Sequence, residues 1–378
     1  MSSQRCRSRA RLLAVLVLFV SWGVVRPGQT HAAEPRSVSV IYYSDLLHPH
    51  DDPDDHFDLA TLFAVPEFHI LGVVLDLGDR QAQRPGATPL RQMMAITRRQ
   101  VPHATALAEP LRSPEDDGAT QPETGQGGVR LILDSLRRAR GPVTIIQTGS
   151  LRDIAAALNR EPQLLRAKVA AVYVNSGNGA AVQDEWNVKL DPQAYRRVMT
   201  SGLPIHWCPC FGEDGYATHW RFRQGAILDR VAAPVRAYLV YALIPLPVAV
   251  DPVAAVRSPW WGRLVAADWQ AATWAAERSM WSTVSLLHAA GRRVYGTGDD
   301  EWEALGDEEA GRRGLGPESA SRSFAFEPVT VTIDEQRNLK RIPAGNDSAM
   351  RVFHAPDPQQ YAREMQSCLG KLLGSLGR

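Results

Sequence analysis

Residues 143–158 read VTIIQTGSLRDIAAAL. A run rich in β-branched side chains leads into Thr148-Gly149-Ser150, and from Leu151 the apolar residues take helical spacing. The spacing predicts a strand over 143–147 feeding a helix over 151–158, which is half of a parallel crossover unit. The same alternation extends in both directions. Upstream, 38–43 (VSVIYY) predicts a strand, followed by an acidic loop and a helix over 55–64. A second strand is expected at 69–76 (HILGVVLD), a helix at 89–99, a Pro- and Gly-rich loop at 109–128 and a helix at 129–140. Downstream come a strand at 169–175 (VAAVYVN), a long polar loop, a helix at 192–200 and a strand at 203–208. The order implies right-handed crossovers and an α/β fold with a mostly parallel sheet flanked by helices.

Beyond residue 228 the pattern changes. The chain up to about 291 is expected to be a helical, Trp-rich insertion, and 303–321 a charged, Gly-rich loop. Two β-like runs follow at 329–333 and 350–354, then an amphipathic helix at 358–373. No stretch has the composition of a linker, so 34–378 reads as one domain with insertions.

The 378 residues carry 42 Lys and Arg against 41 Asp and Glu, with 44% hydrophobic residues. That balance argues against a nucleic-acid partner, because neutralising phosphates needs a basic surplus. It also hides an asymmetry. Residues 1–33 hold five arginines and no acid, so the remainder has 37 basic against 41 acidic residues. A basic start, an apolar run over 12–25 and the small-residue end Thr30-His31-Ala32-Ala33 form the layout of a signal peptide. The apolar run is short of the roughly 20 residues that span a bilayer. The expectation is an exported protein, periplasmic or secreted, with no membrane attachment once the leader is removed. Only four cysteines are present, too few for a disulfide framework. Cys208-Pro209-Cys210 is not a redox motif, and a pair between Cys368 and one of these two stays open.

Ligands of open parallel sheets bind at the carboxyl ends of the strands. Here those ends are polar: Ser44-Asp45 and then 48–55 (HPHDDPDD), Asp76-Leu77-Gly78-Asp79, Thr148-Gly149-Ser150, and Asn175-Ser176-Gly177-Asn178 running on to Asp184-Glu185-Trp186-Asn187. Converging carboxylates repel, and a hard cation that accepts oxygen ligands is the simplest relief, calcium before zinc. Two simpler readings compete: Asp54 and Asp55 serve only the start of the helix, or His48, His50 and His56 hold zinc. An EF-hand does not fit, since Phe57 and Phe63 fall at the sixth and twelfth positions counted from Asp52. Trp260, Trp261, Trp269, Trp274 and Trp281 form either an aromatic wall over a ligand or the packing of a helix.

Taken together, these segments resemble the inosine-uridine-preferring nucleoside hydrolase family. Residues 184–194 (DEWNVKLDPQA) are similar to its E-F-N-(I/V)-x-x-D-P-x-A segment, and 143–158 to its V-T-I-I-x-T-G-x-L-T-N-I-A-x-A-L run. Residues 71–79 (LGVVLDLGD) resemble L-G-(I/V)-x-x-x-x-G-N with Asp79 in place of Asn. The resemblance runs from about Val38 to the end and is weakest over 209–325. It implies a nucleoside hydrolase-like fold, hydrolysis of the N-glycosidic bond of a nucleoside or related ribosyl compound, and a bound Ca²⁺. Carried over residue by residue, Asp45 is the catalytic base and a metal ligand, joined by Asp54, Asp55 and the Thr148 carbonyl. Asp79, Asn178, Glu185 and Asn187 would hold the sugar. A rival register sets Asp52, Asp54 and Asp58 on the acidic motif. The family's late H-D-P-x-A-x-A motif has its best counterpart at 280–286 (MWSTVSL), which lacks both His and Asp; Asp251-Pro252 is the other candidate. The partner is thus a small molecule, with a homo-oligomer left open. Two further readings stand beside this one: a binding protein of the same fold without turnover, and a hydrolase of another glycosidic substrate.

Overall fold

Residues 38–44 alternate their side chains between two cores: Val40 and Tyr42 join one buried cluster, Ile41 and Tyr43 the other. This strand, β1 (Val38–Ser44), therefore has no solvent face, as expected of a parallel strand covered by helices on both sides. The computed structural model describes residues 37–50, 52–179, 185–244, 251–257, 267–298, 300–333 and 339–377. The leader, Cys6, Asp184, Trp260 and Trp261 lie outside them. After β1 come β2 (Phe68–Leu75), β3 (His103–Thr105), β4 (Val143–Thr148), β5 (Val169–Val174) and β6 (Ile205–Trp207). The later strands are β7 (Trp220–Arg223), β8 (Glu277–Met280), β9 (Arg293–Gly298), β10 (Glu301–Leu305), β11 (Ala325–Ile333), β12 (Leu339–Pro343) and β13 (Met350–His354).

Nine of these strands form one sheet in the order β12-β11-β13-β6-β5-β4-β1-β2-β3. β1 to β6 run parallel, as does β13 beside β6, while β11 pairs antiparallel with both β12 and β13. The mostly parallel sheet read from the sequence is the observed one. Its strand order reverses at β1, which has β2 on one side and β4 on the other, with Ser44 opposite Thr148. Such a switch point opens a crevice at the strand ends.

The sequence reading departs from the structure after residue 209. The stretch read as helical contains β8, which pairs antiparallel with β7, and the stretch read as a loop contains the end of β10 and the helix Asp307–Arg312. β8 is the four residues ERSM, mostly outside the core, so it carries no apolar signal of its own; its partner strand holds it. Cys208, Cys210 and Cys368 are free and buried, so the open disulfide pairing is not formed. No helix of the described residues is long and apolar enough to cross a membrane.

The Asp191-Pro192 dipeptide explains itself locally. Asp191 caps the helix Pro192–Met199 by accepting from the Ala194 N–H at 2.9 Å, and Pro192 starts it without wasting a donor. Its second oxygen accepts from the Leu111 N–H at 2.8 Å and from Arg152 Nε at 3.2 Å. Arg152 also donates to the carbonyls of Leu107, Ala108 and Leu190, so this fully buried ion pair is saturated with hydrogen bonds. Arg152→Ala leaves the Asp191 charge buried without its cation. It should lower the unfolding free energy by about 3–5 kcal/mol in urea denaturation, against a few tenths for an exposed change such as Arg138→Ala.

Candidate active site

Four strand ends build the site. β1 delivers Asp45, β4 delivers Thr148-Gly149-Ser150, β2 delivers Asp76 and β5 delivers Asn175. The turn after β4 is packed tightly: a Cβ on Gly149 would stand 2.7 Å from Asp76 Oδ2 and 3.1 Å from the Asp45 nitrogen, so only glycine fits. Asp76 holds that turn, accepting from the Ser150 N–H at 2.7 Å, the Leu77 N–H at 2.7 Å and the Tyr43 hydroxyl at 2.9 Å. Behind it, Asp153 accepts from the same hydroxyl at 3.2 Å and from the Leu107 N–H.

The acidic loop after β1 leads into the helix α1 (Asp54–Ala64), with Asp54 and Asp55 in its first turn. Pro53 is the N-cap and makes no side-chain hydrogen bond, so the helix start takes its favourable charge from Asp54 and Asp55 in the first turn. Asp55 is buried, and its Oδ1 accepts from the Ser44 hydroxyl at 2.7 Å and the Thr148 hydroxyl at 3.1 Å. Tyr42 backs Thr148, the two hydroxyls 3.1 Å apart. Asp45 Oδ2 accepts from the Trp186 indole at 3.0 Å. Trp186 is 51% exposed, and the Arg80 guanidinium lies 5.6 Å over its ring.

These groups face a cleft of about 220 Å³, lined among others by Asp45, Asp52, Asp54, Thr148, Asn175, Glu185, Trp186 and Asn187. Phe211, Trp281 and Ser282 form another part of its wall. Of the residues singled out in the sequence, Asp45, Asp54, Thr148, Glu185 and Asn187 line it, with Asp55 buried against Thr148. Asp79 does not: it is exposed at the start of the helix Arg80–Gln83, and the buried carboxylate of that strand end is Asp76. Asn178 also stays out of the lining and forms a bridge to Phe211, while Asn175 faces the cleft. Glu185 accepts from the Gly177, Asn187 and Val188 N–H groups, so it frames the loop that presents Trp186 and Asn187. Sequence reasoning placed Asn175 at the crevice without a role, and missed Trp186 as a partner of Asp45, and Phe211. The signal for Trp186 was its place between Glu185 and Asn187.

The tryptophans divide between the two readings. Trp269 and Trp274 pack against the core, whereas Trp281 lines the cleft with its ring 6.1 Å from that of Phe211. Asp251 is exposed and binds its own helix start, so of the two late segments only 280–286 reaches the cleft, through Trp281 and Ser282.

The charge balance of the site is unusual. Burial pushes Asp45 well above the usual carboxylate range, and Asp55 and Asp76 push further. Asp54 is raised by burial and by Asp55, Asp52, Asp58 and Asp45. Histidine does not compensate: burial lowers His48 to about 4 and holds His56 well below its ordinary value. The donor chemistry of Asp45, Asp55 and Thr148, all oxygen and rich in negative charge, fits a hard cation. Among the described residues no three His, Cys, Asp or Glu side chains yet surround a common point. The zinc arrangement of His48, His50 and His56 is therefore not formed.

Residues 50–289 match the inosine-uridine preferring nucleoside hydrolase family. The chain belongs to this family. The matched span takes in α1, Thr148, Glu185 and Ser282, and begins just after Asp45. The chain is 28% identical over 172 residues to the pyrimidine-specific ribonucleoside hydrolase RihA of Salmonella paratyphi A, which covers 40% of this chain and 55% of that protein. It thus spans about half the length of the curated relatives it matches. Among solved structures, a plant nucleoside hydrolase has a TM-score of 0.52 at 15% identity, covering 89% of this chain and 99% of that one. The type III effector XopQ, solved with adenosine diphosphate ribose, has a TM-score of 0.51 at 15% identity, covering 89% and 94%. Both show the shared nucleoside hydrolase fold.

The turn that carries Thr148 rests on a titrating group. Burial and then Asp76 raise Asp153 from 3.8 to about 7. Asp153 thus stays protonated in the folded protein over a range where the unfolded chain is ionised. Its contribution to stability is complete below about pH 4 and is lost as pH rises to about 7, at up to about 1.4 kcal/mol per pH unit. Asp153→Asn should flatten that part of the curve of unfolding free energy against pH, measured by denaturant titration between pH 4 and pH 8.

Proposed function

We propose that this chain hydrolyses the N-glycosidic bond of a nucleoside or a related ribosyl compound, with calcium as cofactor. The observation that carries the reading is Asp45, a buried carboxylate at the β1/β4 switch point, held by Trp186 and crowded by Asp55. Calcium held by Asp45, Asp55 and the Thr148 carbonyl would supply the charge that acidifies a water and orients a sugar diol. Asp45, a carboxylate on the cleft wall, stands to accept the proton of the attacking water. Asp54, expected from the sequence among the metal ligands, lies on the cleft wall and there also adds negative charge where the ribose ring gains positive character as the bond to its base breaks. Asn175 and Asn187 offer amides to the sugar hydroxyls, and Glu185 fixes the loop that carries Asn187. Trp281 and Phe211 offer aromatic faces to the leaving base.

The pyrimidine ribonucleoside named for RihA and the adenosine diphosphate ribose bound by XopQ mark the substrate range to examine. The leader over 1–33 supports an exported enzyme, periplasmic or secreted. One observation favours a second reading: Met280 and Trp281 stand where the resemblance expects His and Asp, as in a binding protein that has lost turnover.

Reducing-sugar release by the purified protein separates the two, using uridine, cytidine, inosine, adenosine and adenosine diphosphate ribose after chelation and again with calcium restored. The enzyme reading expects release that needs calcium and falls about 10²–10⁴-fold in kcat for Asp45→Asn, with KM little changed. Tight nucleoside binding without turnover establishes the binding protein instead. Turnover untouched by Asp55→Ala rules out the assigned metal role of Asp55.

A further inference from the structure

Asp58 is the acidic residue in α1 that this assignment leaves unused. It lies one turn beyond Asp54 and Asp55, on the same side of the helix. It is 1% exposed, and its carboxylate oxygens make no hydrogen bond of good geometry, with the Ser282 hydroxyl as a donor nearby. The other donors close by are committed elsewhere. The hydroxyl of Tyr42 pairs with Thr148, that of Tyr238 donates to the His56 carbonyl, and that of Tyr361 donates to the Thr218 carbonyl. The groups that face Asp58 are Asp55 and the Ser282 hydroxyl. Ser282 in turn lines the cleft, just before the helix Thr283–Ala289 that packs against α1.

A carboxylate buried without well-formed hydrogen bonds is costly, and a protein keeps one where something else compensates it. We propose that Asp58 supplies, from α1, the third carboxylate of the cation site, to which the late segment 280–286 brings no acid. The inference rests on the cation reading of the cleft. As placed, no three acidic side chains surround one point, so the Asp58 side chain swings toward Asp55 when the cation binds, and Ser282 leaves room for it to do so.

Calorimetric titration of the metal-free protein with calcium alone tests this, together with its thermal unfolding midpoint without metal. Asp58→Asn should weaken calcium binding by at least about tenfold, while leaving the metal-free midpoint little changed because the amide keeps the buried shape. Adding Ser282→Asp to Asp58→Asn should restore binding, since the carboxylate returns from the other helix. Asp58→Leu, apolar and of similar length, carries the same test should the Asn variant fail to fold. Calcium binding by Asp58→Asn equal to that of the wild type overturns the role of Asp58 and leaves the cation reading intact. A lowered metal-free midpoint with no rescue by Ser282→Asp assigns Asp58 a structural role and also overturns it. A wild-type protein that binds neither calcium, magnesium nor manganese overturns the cation reading and this inference together.

Discussion

The parallel pairing of β1 with β4, buried on both faces, is the constraint from which the cleft follows. From Val40 to Ser44 and along β4 the side chains are buried, so the polar chemistry of the cleft gathers at the strand ends, from Ser44 and Thr148 onward. Because the strand order reverses at β1, the loops leaving β1 and β4 diverge and leave a gap between them. Ser44 opposite Thr148 sets the register, and both hydroxyls converge on Asp55. One pairing thus positions residues that lie more than ninety positions apart in the chain.

A second layer of buried polar groups keeps these strand ends in place. Tyr43, Asp76, Ser150 and Asp153 form one network, and Arg152 with Asp191 forms another next to it in the fold. In a low-dielectric interior each such group depends on its partners. The network joins β1, β2 and β4 to the helix Pro192–Met199, and so it fixes the spacing of the loops that form the cleft. Asp191, prominent in the sequence as part of a family motif, belongs to this supporting layer.

Legibility in the sequence followed burial. β1, β2, β4 and β5 were readable because strands covered on both sides are continuous apolar runs. β3, β8 and β12 were not, since short edge or surface strands take their conformation from a neighbour and carry little pattern. At the site the errors have a similar origin. The family pattern pointed to Asp79, whereas the structure buries Asp76, three residues earlier at the strand end itself. Asn175 and Asn178 differ in the same way, one still in line with β5 and the other turned toward Phe211.

By itself the sequence determined the alternation of strands and helices, the family, and the concentration of acid just past the first strand, because periodicity and composition are local properties. Only the tertiary structure decided which acids share a neighbourhood. Asp45 meets Trp186 and Asp55 meets Thr148, while Asp58 faces Ser282 from another helix. Those pairings span distances in the chain that no local pattern encodes. They matter because charge interactions depend on separation in space, and burial strengthens them by removing the water that would screen them.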